Sequence, residues 1–151
     1  MTTRERRTDM VAEGQRLAVS VSCGSRREWI DAMQTLAERV FAMAGIDDEQ
    51  AYWPVLAVRE AVMNAVLHGN KEREGTSVLV EYSVGADEIE VCVQDQGEGF
   101  DPDKLADPLS ETNLLSEGGR GVYLIRQLMD EVTYSFPDAG GTRLRMVKAL
   151  S

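Results

Sequence analysis

The stretch "EIEVCVQDQGEGF", residues 88–100, runs an alternating strand pattern straight into an aspartate and two glycines. Ile89, Val91 and Val93 fall on every second position, the period of a half-buried strand. A hairpin needs one turn dipeptide, whereas Asp95, Gly97 and Gly99 make a longer signal. An acid ending a strand can accept a hydrogen bond from an exocyclic amine such as that of adenine. Glycines at alternate positions let the backbone pass close to a flat ring, or take positive φ. An ordinary bulged turn uses the same residue types, and this stretch alone leaves both readings open.

Working outward, "TSVLVEYSV" (76–84) alternates in the same way, and "GADE" (85–88) reads as the hairpin turn between the two strands. Downstream, residues 96–118 carry glycines and two prolines with little periodicity, and a loop of that length is usually functional or disordered. "GVYLIRQLMDEV" (121–132) then reads as a helix with Val122, Leu124, Ile125 and Leu128 apolar. "VTYSF" and "TRLRMVKAL" form a closing hairpin around "PDAGG". Upstream, "LAVSVSC" (17–23) reads as a strand. Ser25 can cap a helix through "REWIDAMQTLAERVFAMAG", with Gly45 as its stop. Asp47 or Asp48 can start a second helix, "EQAYWPVLAVREAVMNAVLHGN", with Pro54 tolerable in its first turns. The order β, α, α, β, β, loop, α, β, β predicts an α+β two-layer sandwich rather than repeated parallel βαβ units.

The 151 residues predict one domain over 15–151, preceded by a flexible polar arm over 1–14. The opening "MTTRERRTDMVAEGQR" has no apolar h-region, so no secretory signal is expected, and no apolar run reaches membrane-span length. Cys23 and Cys92 lack CxxC or metal-ligand spacing and read as small core residues of a reducing cytosol. A net charge of −10 repels a phosphate backbone and argues against direct nucleic-acid binding. It does not oppose a nucleotide held in a local site.

On the second predicted helix, Glu60, Asn64 and His68 lie four apart and share a face with Leu56, Ala57 and Leu67. One reading places this stripe at the solvent edge, with Glu60 paired to an arginine. The other makes Asn64 an oxygen ligand for Mg²⁺ and Glu60 a proton acceptor. The run "EGGRGVYLI" brings Gly118, Gly119 and Gly121 directly into a helix. Amide N–H groups and the positive dipole end there suit phosphate, and Arg120 adds charge. It has neither the GK[ST] ending of a Walker loop nor a strand-linked GxGxxG, and a plain N-terminal turn remains the alternative. Trp29, Trp53, Met33, Met43 and Met63, at helical spacing, are expected in the core. Arg59 is expected on the solvated side and His68 as a helix-end cap.

Taken in order, "REAVMNAVLHGN" (59–70), "DQGEGFDP" (95–102) and "EGGRGVYLIRQLMDEV" (117–132) resemble the GHKL (Bergerat) ATP-binding fold. Within it the chain is similar to the anti-sigma-factor serine/threonine kinases of bacterial partner-switching systems. The "GFDP" tail and "LMDEV" run favour that branch over sensor histidine kinases, topoisomerases and chaperones. The resemblance implies a mostly antiparallel mixed sheet with helices on one face. It implies that Asp95 holds the adenine amine, that Gly97 and Gly99 border the base with Phe100 also binding the nucleotide, and that Asn64 coordinates Mg²⁺. Gly118, Gly119, Arg120 and Gly121 would hold the phosphates, Val122 would also touch the nucleotide, and residues 101–117 would form a lid over ATP. Glu60 would take the proton from a serine or threonine hydroxyl on an anti-anti-sigma (STAS-type) protein. It further implies a cytoplasmic homodimer, joined through its first strand and helix, that sequesters a sigma factor or similar regulator. A nucleotide-gated binding module without phosphotransfer would use the same pocket, and a structural α+β protein without nucleotide is the third reading.

Overall fold

Strand positions follow from two-residue alternation in five segments: β1 (Leu17–Gly24), β2 (Ser77–Val84), β3 (Glu88–Gln94), β4 (Glu131–Ser135) and β5 (Arg143–Ala149). The computed structural model describes residues 15–98 and 117–151, without the side chains of 117–120. The expected arm over 1–14 lies outside the described residues. The strands form one sheet in the order β1-β2-β3-β5-β4, and all four pairings are antiparallel. Register carries one apolar row straight across it: Val19 faces Tyr82, Tyr82 faces Val91, Val91 faces Met146, and Met146 faces Val132. A slip of one residue would turn every member of that row to the other face. The opposite face is polar and laced with ion pairs, Arg143 to Glu81 at 2.9 Å and Arg145 to Glu90 at 2.9 Å.

Among the described residues, three helices cover the apolar face, as the two-layer reading requires. They are α1 (Trp29–Met43), α2 (Asp48–Asn64) and α3 (Glu117–Leu128), with α2 packed between the other two. Buried Ala37, Val40 and Phe41 of α1 and Val55, Val58 and Val62 of α2 meet the sheet residues in one core. Phe41 stands edge-on to Tyr82, centroids 5.8 Å apart. The Tyr82 hydroxyl is buried there without a hydrogen-bond partner among the described residues.

Gly45 ends α1 as expected. With φ at 81° it donates to the Ala42 carbonyl, while Ile46 donates to that of Phe41, which satisfies the last carbonyls of the helix. Asp47 starts α2, its Oδ1 accepting from the Gln50 N–H at 2.8 Å. Pro54 is the seventh residue of α2, one turn deeper than its missing N–H would favour.

Four expectations are corrected. Ser25 does not cap α1, which begins four residues later after Glu28; its hydroxyl is buried and occupied elsewhere. Trp29, Trp53 and Met43 are about half exposed rather than core, whereas Met33 is buried. Helical spacing placed these residues on one side of a helix, but nothing in the spacing says whether a layer covers that side. Trp53 is shielded instead by Tyr52, ring against ring at 4.7 Å. Arg59 is not simply solvated: its guanidinium donates to Asp31 at 2.6 Å and Gln34 at 2.8 Å, tying α2 to α1. Helix α3 begins at Glu117, so the glycines form its first turn rather than a loop before it.

Candidate functional site

Past Asn64 the helix continues as one wide turn, Ala65–Gly69, closed by the Asn70 N–H donating to the Ala65 carbonyl at 2.8 Å. Such i→i+5 turns insert an extra residue and recur at functional sites. His68 lies within this wide turn and is exposed. Glu60 and Asn64 keep their shared face, one regular turn apart and both half-buried. Burial pushes the Glu60 carboxyl above its usual range, partly offset by the neighbouring Arg59 charge. No ion pair to Glu60 occurs among the described residues, so the expected arginine partner of the solvent-edge reading is not found there.

Asn64 lies against the start of α3. A β-carbon added at Gly121 would stand 2.6 Å from Asn64 Nδ2 and 2.9 Å from Oδ1. Gly121 and Val122 are buried at this junction. Gly118, Gly119 and Arg120 belong to the first turn of α3, whose leading N–H groups have no acceptor within the helix. Their side chains, and all of Gly99, Phe100 and the expected lid up to residue 116, lie outside the described residues.

Asp95 is the best-fixed group of the site. It is 7% exposed, and its Oδ1 accepts two backbone N–H groups, from Gly97 at 2.9 Å and Thr142 at 3.0 Å. Neither bond uses Oδ2. The backbone crowds it on three sides: a β-carbon on Gly69 would strike Asp95 Oδ2, one on Gly97 the Gly69 carbonyl, and one on Gly141 the Asp95 carbonyl. Gly141 also has φ at 91°. Asp95, Gly97, Gly69 and Thr142 therefore meet at one point, built from the ends of β3 and α2 and the start of β5.

Sequence reading missed Gly69, Asn70, Gly141 and Thr142. The signals were present as "HGN" and "GGT", but both were read as an element ending and a hairpin turn. The donor set fits a purine nucleotide with a small hard cation. One carboxylate oxygen is held and the other aimed past bare backbone. One carboxamide stands against Gly121, the fifth residue of α3, with no hydrogen bond among the described residues. No cluster of three or more His, Cys, Asp or Glu that could hold a metal occurs among the described residues. Mg²⁺ characteristically binds through one or two protein groups together with substrate phosphates and water.

The histidine kinase-like ATPase domain family matches residues 25–148. The serine-protein kinase RsbW of Bacillus subtilis (strain 168) is 38% identical over 102 residues, covering 64% of this chain and 62% of that protein. RsbW of Staphylococcus aureus is 31% identical over 129 residues, covering 80% of this chain and 79% of that one. Among solved structures, the RsbU and RsbW domains of Rv1364c from Mycobacterium tuberculosis share the fold. The TM-score is 0.59 at 16% identity, over 87% of this chain and 31% of that longer one. The chain therefore belongs to the histidine kinase-like ATPase family, in its branch of RsbW serine-protein kinases.

Proposed function

We propose that this chain transfers the γ-phosphoryl group of ATP to a serine or threonine hydroxyl on a STAS-type anti-anti-sigma protein. Once that partner is phosphorylated, the chain is free to sequester a sigma factor or similar regulator. Asp95 would accept from the adenine amine through Oδ2, with Gly97, Gly99 and Phe100 along the base. Asn64 would hold Mg²⁺, which when bound neutralises phosphate charge. Gly118, Gly119, Arg120, Gly121 and Val122 would face the phosphates at the positive end of α3, under a lid formed by residues 101–117. Glu60 would take the hydroxyl proton as that oxygen bonds to phosphorus and the bond to the bridging oxygen of ADP breaks. Desolvation makes Glu60 a better base than an exposed glutamate.

The observation that carries the reading is Glu60, half-buried and raised in basicity, one turn before an Asn64 that meets the backbone of Gly121. The test is transfer of labelled γ-phosphate to a STAS-type protein by wild type and Glu60→Gln. Transfer lost with ATP affinity kept supports the base role; equal transfer by both proteins sinks it. A wild type that binds ATP and its partner without any transfer favours the binding-module reading. The domain is taken to work as a cytoplasmic homodimer, and a monomer at micromolar concentration in sedimentation equilibrium would contradict that. No helix among the described residues is long and apolar enough to cross a membrane.

A further inference from the structure

Asn70 is fully buried, yet it is neither on the reacting face of α2 nor in a strand. A buried carboxamide must find partners for both its ends or cost a few kcal/mol. Asn70 finds three. Its Nδ2 donates to Ser25 Oγ at 2.7 Å and to the Ser77 carbonyl at 2.9 Å, and its Oδ1 accepts the Gln96 N–H at 2.7 Å. One side chain thus joins the turn after β1, the first residue of β2 and the residue after Asp95.

The last of these joints bears on the nucleotide site. Gln96 is anchored twice, by Asn70 at its N–H and through its own Oε1, which accepts the Ser77 N–H at 2.7 Å. The next N–H, that of Gly97, holds Asp95 Oδ1. The direction of the Gln96–Gly97 turn, and with it one of the two bonds that orient the Asp95 carboxylate, is therefore set from outside β3. We infer that Asn70 is a positioning residue for base recognition: it acts through Gln96 and Gly97 to keep Asp95 Oδ2 aimed at the nucleobase. This rests on the ATP reading given under Proposed function. Removing Asn70 releases the turn and leaves Asp95 Oδ1 held by the Thr142 N–H, so that the carboxylate can turn about that one bond, which erodes discrimination between a base that offers an amine there and one that offers a carbonyl.

The test is calorimetric titration of ATP and GTP, each with Mg²⁺, into wild type, Asn70→Ala, Ser25→Ala and Gln96→Ala. Asn70→Ala is expected to weaken ATP about 10-fold, the effect of losing about one buried hydrogen bond. The ratio of ATP to GTP affinity should fall with it. Ser25→Ala removes a partner of Asn70 but leaves the Gln96 bond, so it lowers Tm and keeps the wild-type ratio. Gln96 is exposed, so Gln96→Ala folds, and loss of its second anchor lowers the ratio about 3-fold. A merely structural Asn70 would reduce the folded fraction for both nucleotides alike and leave the ratio untouched. A wild-type ratio in Asn70→Ala overturns the inference, and so does one in Gln96→Ala where Asn70→Ala fails to fold. A wild type that binds neither nucleotide overturns the ATP reading itself, a result distinct from tight binding with unchanged ratios in the variants.

Discussion

Gly121→Ala separates stability from function at one atom. Gly121 is the fifth residue of α3, and alanine in a helix interior is better than glycine by about 1 kcal/mol. Against this stands the new methyl group, 2.6 Å from Asn64 Nδ2 and 2.9 Å from Oδ1, well inside a normal contact of about 3.5 Å. The atoms in the way are the tip of a side chain, so Asn64 yields by turning to a poorer rotamer, at about 0.5–1.5 kcal/mol. The two terms nearly cancel, and Tm should move by no more than about 3 °C. The carboxamide, however, leaves the mouth of α3. A cation held by that one protein oxygen then loses its ligand, and the Mg²⁺ concentration for half-maximal phosphoryl transfer should rise at least about 10-fold. The assay is a Mg²⁺ titration of transfer at fixed ATP, alongside thermal unfolding. Gly24→Ala serves as control, since a β-carbon there meets nothing within 4 Å. An unchanged Mg²⁺ requirement with an unchanged Tm would refute the placement of Asn64 as metal ligand. A Tm loss well beyond 3 °C would show that the backbone, not Asn64, gives way.

Gly97→Ala meets the Gly69 carbonyl rather than a side chain, and a backbone cannot turn aside. We expect a loss of about 1–3 kcal/mol, a Tm lower by roughly 3–10 °C, and ATP affinity reduced with it; wild-type values of both would contradict the close approach. Tyr82→Phe removes a buried hydroxyl with no partner among the described residues, so it should stabilise by about 1 kcal/mol, or roughly 2–4 °C in Tm. A destabilised variant would mean the hydroxyl is satisfied. The raised Glu60 carboxyl gives two pH effects. Its folded pKa exceeds the unfolded one, so ionised Glu60 opposes folding above the unfolded value, and the penalty fades as pH falls through the folded value. Glu60→Gln should therefore raise Tm at pH 7 and lose that advantage near pH 4, and an equal gain at both would refute the desolvation argument. Wild-type transfer should fall on the acid side with a midpoint above the ordinary 4.5.

Strand positions were legible because each strand has one wet and one dry face, which writes a two-residue period into the sequence. The observed bounds of β1 and β2 differ from that reading by a residue. Gly45 and Asp47 were legible because their work is local: each bonds to backbone within five residues. Glu60, Asn64, Asp95 and Gly97 stood out in the sequence for a similar reason, as short motifs whose residue types and spacing point to a chemistry. What escaped depends on distance along the chain or on what covers a surface. The three partners of Asn70 lie 45, 7 and 26 residues away, and no local pattern marks a residue whose bonds are so dispersed. The wide turn before it escaped because apolar spacing tolerates one inserted residue. Trp53 escaped for the opposite reason, since periodicity names a stripe but not the layer that would bury it. The start of α3 at Glu117 runs against the low helix propensity of three glycines. At Gly121 the gain is visible. The missing β-carbon is the space in which Asn64 sits, so a position that weakens the helix is the one that opens the site.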